Sequence, residues 1–405
     1  MQNILPTMSI TDIKHSLRKH EFPVSAREAL NRVEQLLVGR SAPSSKQLDI
    51  AMDIISEYVF CESDRRSGRR GGGLSPLQEL QLIDIICDYL SSCMNEITKN
   101  TVFLSLFGGM ESQRRLKILS ILASMAVSAS STPVLLAVGV WLQQMGCSSV
   151  QSLQLAENII RDHFYLNTSN QTALKSLANT APQFVANFIT AITELYSHDA
   201  QGNKKLPPKN LLEVVTSWVY SNPTLCMSAQ LNPAALPSGS IPMAAVTPLA
   251  GLIHWCALAP LYIDEGTQIE QAKKIKTEGE NDRCIVKTVK QKPISEWEIY
   301  MKLHLGVVQS MRGRRGVPPT AVNAQHLLAL LPAVQTYARA AVTRGVSLQH
   351  DRKLQECLDR IGQAVQVALA NNCVYGNIST LLAALDTLPE NRLLRIIIKT
   401  HQQII

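Results

Sequence analysis

The stretch Ser75-Pro76-Leu77-Gln78-Glu79-Leu80-Gln81-Leu82-Ile83-Asp84-Ile85-Ile86-Cys87-Asp88-Tyr89-Leu90 carries both the start signal of an α-helix and the composition of a buried one. Serine supplies a hydroxyl for one orphan N–H of the first turn. Proline at the first helical position has its φ already set and loses no hydrogen bond. Glutamine at the third position returns a bond to the cap. The residues that follow are apolar around much of the circumference, as suits a helix enclosed by others.

The same punctuation recurs outward from this point. Ser25-Ala26-Arg27-Glu28 has capping-box spacing, followed by a stripe of Ala26, Ala29/Leu30, Val33 and Leu36/Leu37. Ser44 or Ser45 opens another helix, with Leu48, Met52, Ile55 and Val59 expected on one face. Thr132-Pro133 opens a helix to Gly146, Thr247-Pro248 one to about Leu258, and Leu388-Pro389-Glu390 the last, to near Thr400. Further helices are expected over Thr98–Phe107, Ser112–Ala129, Ser149–Tyr165, Thr172–Leu177, Pro182–Tyr196, Lys209–Tyr220, Ile294–Met311, Ala321–Thr343, Leu348–Asn371 and Ile378–Leu385. Strand signals are nearly absent and most connections are short. The expectation is an all-α chain, an irregular HEAT-like α-solenoid of helical hairpins, although no residue repeats at a fixed period.

Two segments interrupt the pattern. Residues 62–74 hold a flexible basic loop with Arg65, Arg66, Arg69 and Arg70 beside a triple glycine, and 264–293 form a mixed-charge tract expected to be a disordered insertion. The tract divides the chain into an N-terminal helical unit, 1–263, and a C-terminal one, 294–405.

Composition narrows the function classes. Of 405 residues 46% are hydrophobic and 18% charged, with aromatics at 5% and a formal charge of +7. The charged share lies below the roughly 25% of ordinary globular chains, and the aliphatic content excludes disorder for the chain as a whole. No charged residue occurs from Ile118 to Ala156 or from Val214 to Ile263. The first run breaks at Ser128-Ala129-Ser130-Ser131-Thr132-Pro133 into pieces short of the ~20 residues a bilayer helix needs, and the second is cut by six prolines between Pro223 and Pro260. Both read as helices buried by other helices. The nine cysteines stand at neither CxxC nor zinc-finger spacing, and residues 1–10 have no basic-then-apolar leader pattern, so a reducing compartment is expected.

A catalytic constellation is missing from the sequence: it holds no GxxxxGK[ST], GxSxG, HExxH or GxGxxG. Gly71 follows arginines and lacks the strand and lysine of a phosphate cradle. His15, His20 and His350 sit beside charged or polar residues, and His254, between Ile253 and Trp255, reads as a hydrogen-bonded structural histidine. Asp84/Asp88 and Asp351/Glu356 fall on helix faces where carboxylates usually meet water. Neither a cofactor nor a metal site is expected. Arg65, Arg66, Arg69 and Arg70 fit a nuclear-import signal, a phosphate contact or a solvated linker equally well, and no aromatic is interleaved for base stacking. What remains is surface for protein partners. The uncharged Pro-rich run offers Leu225, Met227, Leu231, Leu236, Ile241 and Met243, and the last helix, with no obvious polar face, offers Leu393, Leu394 and Ile397.

A colinear series of segments carries a family likeness: Asp12-Ile13-Lys14-His15-Ser16-Leu17, Leu77-Gln78-Glu79-Leu80-Gln81-Leu82, Ser124-Met125-Ala126-Val127, Thr132-Pro133-Val134-Leu135 and Trp141-Leu142-Gln143. Leu211-Leu212-Glu213, Thr247-Pro248-Leu249, Gly251-Leu252-Ile253, Trp255-Cys256, Lys302-Leu303-His304-Leu305 and Gln363-Ala364-Val365-Gln366-Val367-Ala368 continue it. In this order, from about Ser9 to Ile398, they resemble the Integrator complex subunit 15 family. The resemblance implies a non-catalytic scaffold in a nuclear assembly that processes small nuclear RNA 3′ ends and attenuates RNA polymerase II transcription. It implies as partners Integrator subunits 10, 13 and 14, an indirect association with the polymerase, and no membrane. Vertebrate members continue into a Pro/His-rich tail beyond the position of Ile405, so a non-vertebrate member is expected. The alternative reading is a helical solenoid that binds nucleic acid through the Arg65–Arg70 loop.

Overall fold

Two serine starts form as their spacing requires. In the helix Pro76–Ser92 the Gln78 N–H donates to Ser75 Oγ at 3.4 Å and the Ser75 N–H to Gln78 Oε1 at 2.9 Å. Ser44 and Gln47 close the same box on Ser45–Ile54. The computed structural model describes residues 10–38, 43–62, 73–108, 112–167, 171–197, 205–237, 239–263, 294–312 and 321–402. The expected basic loop's Arg65, Arg66, Arg69 and Arg70 and the tract 264–293 lie outside them.

The chain is all-α, from Ile10–Arg18 to Arg392–Gln402. Among the described residues one short parallel pairing, Val322–Asn323 with Val374–Tyr375, is the sole sheet. Several local readings are corrected. Ser25 lies buried inside a helix, Val24–Leu37, whose cap position is Pro23, and it makes no capping box. Of the expected face Ile55 and Val59 are buried but Leu48 and Met52 are exposed; Ala51, Ile54 and Tyr58 complete the buried side, and Ile55–Val59 is a π-helical turn. The π-turn encloses Tyr58 and Val59 together, which a 3.6-residue period does not anticipate. Thr247 caps nothing: its hydroxyl donates to the Ala321 carbonyl at 2.6 Å, and the helix starts at Leu249. The single helix expected over 321–343 is instead the short strand, Ala324–Leu328 and Leu331–Thr343, the last with Pro332 in its first turn.

The chain groups into two compact units, Met1–Phe188 with Asn232–Ala245, and Ile189–Leu231 with Val246–Ile405. This differs from the division 1–263 and 294–405. The helix Leu249–Tyr262 packs on Glu296–Met311 and Arg352–Ala370, which follow the charged tract in sequence.

In the first unit Phe60, Phe103 and Phe107 cluster, and Trp141 Nε1 donates to the Phe107 carbonyl at 2.9 Å. The Arg115 guanidinium lies over the Phe60 ring at 4.5 Å and grips the Glu62 carboxylate with two nitrogens. Burial pushes the Glu62 carboxyl up, but the hydrogen bonds and charge of Arg115 outweigh it and hold its pKa below the usual carboxylate range. Gly139 permits a close approach of another helix here. A Cβ at that position would stand 2.9 Å from the Phe184 backbone.

The second unit is built on the helix Leu249–Tyr262, apolar on every side and interrupted by Pro260. Proline has no N–H for the carbonyl four residues back, so the Cys256 carbonyl loses its helical partner. The buried Arg360 supplies the replacement: its Nη1 donates to that carbonyl at 2.9 Å, while Nη2 pairs with Glu356 at 2.6 Å.

Candidate interaction surface

The uncharged run of the sequence separates into parts with different fates. Leu225 and Met227 lie in a 3-10 turn, Leu225–Met227, and are buried in the second unit. Leu231 ends the following short helix and is exposed. From Asn232 to Pro237 and from Gly239 to Ala245 the chain is a strap without regular secondary structure that belongs to the first unit.

Prolines at 233, 237 and 242 leave this strap without a regular ladder of backbone bonds. Side-chain amides from two helices supply the partners. Asn100, on Glu96–Phe107, donates from Nδ2 to the Ala235 carbonyl at 2.9 Å. Gln143, on Thr132–Met145, donates from Nε2 to the Met243 carbonyl at 3.1 Å. The next residue, Gln144, accepts the Met243 N–H on Oε1 at 3.3 Å. Asn100 and Gln143 are themselves buried, and Gln183 reinforces Gln143 with a 3.4 Å contact. Between the two attachment points the Ser240 N–H donates to the Pro237 carbonyl at 3.1 Å, in a turn where Gly239 has φ +87°. Glycine adopts that left-handed conformation without a Cβ clash.

The clamp fixes the backbone and leaves side chains outside. Ile241 is 90% exposed and Met243 51%, while Leu236 is half-buried. The terminal helix behaves oppositely. Leu394 and Ile397 are each only 2% exposed, Leu393 is half-buried, and Arg392, Ile396, Lys399 and Thr400 form an outer face. The reading of a helix without a polar face is therefore corrected: the run Ile396-Ile397-Ile398 wraps around the helix, so two of its members turn inward and one outward.

Other side chains singled out by sequence have partners within the fold. Asp88 pairs with Arg27 at 2.9 Å on the rim of a cavity of about 610 Å³ lined also by Leu30, Asn31, Ile85 and Tyr89. Asp351 caps Arg352–Ala370 through the Leu354 N–H at 3.1 Å, and Glu356 holds Arg360. His254, half-exposed, donates from Nε2 to the His326 carbonyl at 2.9 Å. Cys226 and Cys256 are fully enclosed, and burial pushes both thiols up to about 12. Among the described residues no group of three or more His, Cys, Asp or Glu side chains is placed to hold a metal ion, and no helix is long and apolar enough to cross a membrane.

One grouping escaped the sequence. A π-helical turn, Arg161–Leu166, brings Asp162 and His163 against Ser124. The serine hydroxyl donates to Asp162 at 2.7 Å, and His163 Nε2 donates to the Ser124 carbonyl at 3.1 Å, with Oγ 3.4 Å away. A nucleophilic serine needs the imidazole as its base and the carboxylate behind the imidazole. Here the carboxylate takes the serine's proton bond and the His163 Nε2–H is directed to a carbonyl, so the three residues pin the π-turn. The clamp amides were missed as well. Their one local signal is the pair Gln143-Gln144 at the end of an otherwise apolar, charge-free helix.

A family model described as Integrator complex subunit 15 matches residues 11–390. The chain belongs to the Integrator complex subunit 15 family. It is 34% identical to the Drosophila melanogaster protein of that description, over 98% of this chain and 100% of that one. It is 28% identical to the mouse and human proteins, over 96% of this chain and 87% of each of them. The subunit 15 family match takes in the strap and all three clamp residues. It ends just before the helix Arg392–Gln402.

Proposed function

We propose that this chain is a non-catalytic scaffold subunit of the nuclear Integrator complex. It links a peripheral module of subunits 10, 13 and 14 to the rest of the assembly, and so takes part in small nuclear RNA 3′-end processing and RNA polymerase II attenuation. The single observation that carries the reading is the family match from residue 11 to 390, with relatives named Integrator complex subunit 15 aligned along nearly the whole chain. The strap adds support, since it exposes uncharged apolar side chains on a fixed backbone, as a surface meant for another protein does. Leu231, Leu236, Ile241 and Met243 are then the partner-facing members of the uncharged run, while Arg65, Arg66, Arg69 and Arg70 fit a nuclear-import signal, a phosphate contact or a solvated linker alike.

Affinity purification of the tagged full chain from nuclei, followed by quantitative mass spectrometry, tests the proposal. The expected result is recovery of Integrator subunits with 10, 13 and 14 the most enriched. Recovery of none overturns the assignment, and recovery of the remaining subunits without 10, 13 and 14 overturns the linkage.

A further inference from the structure

Resting on that reading, we propose that the strap is a prebuilt linear epitope. Ile241 and Met243, held out by the Asn100–Gln143–Gln144 clamp, insert into an uncharged apolar pocket on another subunit of the complex.

The first argument is the cost of ordering. A loose segment that binds a partner normally gives up backbone and side-chain freedom at that moment. Here the backbone is already tied at Ala235 and Met243 by three amide hydrogen bonds, and the Ser240 N–H is bonded to the Pro237 carbonyl. Ile241 lies two residues from an anchored residue, and Pro242, whose φ is locked, stands between them. Little is left to order on docking.

The second argument concerns which side chains are left outside. The same uncharged run buries Leu225 and Met227 completely or nearly so. Those two residues lie in the second unit, whereas the strap, in the first, turns a β-branched isoleucine almost fully to solvent. Two buried carboxamides hold the strap by its backbone, and Ile241 and Met243 stay exposed. A peptide recognised through main-chain bonds on one side keeps its alternate side chains for a second surface.

The third argument sets the partner's chemistry. No charged residue occurs between Val214 and Ile263 in a chain of formal charge +7. A charged partner face would lose hydration against this segment with no counter-charge in return. The fitting occupant is a neutral pocket wide enough for an isoleucine and a methionine, of the anchor-in-pocket kind that dominates interface energetics.

Full-length chains carrying Ile241→Asp/Met243→Asp, Asn100→Ala/Gln143→Ala, or Ile396→Asp as a control on the exposed face of the last helix, are expressed beside wild type. Recovered Integrator subunits are quantified and each purified chain is melted. The epitope variant is expected to recover at least ten-fold less complex, with a melting temperature within about 2 °C of wild type. The clamp variant, whose epitope sequence is intact, is expected to recover several-fold less and to be cleaved sooner within residues 236–245 on limited proteolysis. The control retains wild-type recovery. Wild-type recovery by the epitope variant overturns the inference and leaves the proposed function standing. Undiminished recovery by a clamp variant with a loosened strap overturns the prebuilt-backbone claim, and an equal loss in the control overturns the localisation to the strap. If wild type itself recovers no Integrator subunit, the proposed function falls and the inference falls with it.

Discussion

Residues 232–245 and 249–262 are neighbours in one uncharged, proline-containing stretch, and the fold treats them in opposite ways. The first is an irregular strap whose outward side chains meet solvent, and the second is a helix with nearly every side chain enclosed. Both solve the same problem, a main chain deprived of hydrogen bonds by proline. In each, polar side chains from elements distant in sequence complete the missing bonds: Asn100, Gln143 and Gln144 for the strap, Arg360 for the Cys256 carbonyl left by Pro260. The difference lies in what else is nearby. Apolar helices surround the second segment, so its carbonyl needs a buried charge that is itself paired. Amides suffice for the strap, which keeps one side in water.

Breaking the buried solution has the larger effect. Arg360→Met leaves the Cys256 carbonyl and Glu356 unpartnered, and is expected to cost about 3 kcal/mol or more in denaturant unfolding. Leu394→Ala and Ile397→Ala, which open cavities under the terminal helix, belong in the same range, about 2–4 kcal/mol. A loss below 0.5 kcal/mol in either experiment would place those side chains at the surface.

Releasing the strap sits next. Asn100→Ala/Gln143→Ala is expected to lower stability by about 1–3 kcal/mol, with amide exchange accelerated in 235–245 above all. The proline account predicts a coupling. Pro260→Ala restores an N–H to the Cys256 carbonyl, so it stabilises the Arg360→Met background more than wild type, by about 1 kcal/mol in a double-mutant cycle. Strict additivity would remove that explanation. A smaller effect concerns the other buried arginine, Arg115. Because Glu62 titrates below its ordinary value when folded, its contribution is present above that value and is lost as pH falls through the depressed one. Arg115→Met should flatten that acid limb of the melting-temperature profile. Ile241→Asp is expected to change stability least, within about 0.5 kcal/mol.

The helix starts at Ser44 and Ser75 were legible because a cap is a local device, complete within four residues. Faces were legible only where one register dominates. In 45–59 the π-turn Ile55–Val59, which encloses Tyr58 beside Val59, is a tertiary fact that the helical period does not carry. Thr247 shows the same limit, since its hydroxyl was spent on Ala321 and not on its own helix. The apolar character of the uncharged run was plain, but not its division into an exposed strap and a core helix. That division depends on amides and an arginine roughly 100 residues away in sequence, whose pairing no local spacing encodes.

Thiol labelling tests the central claim most directly. Ile241→Cys and Ile397→Cys are made in the full chain, and their reaction with a maleimide is timed in the free protein and in the purified Integrator assembly, against the native cysteine background. The account predicts rapid labelling at 241 in the free chain, strong protection of 241 in the assembly, and slow labelling at 397 in both. Equal rates at the two positions in the free chain, or an unprotected residue 241 in the assembly, would contradict it.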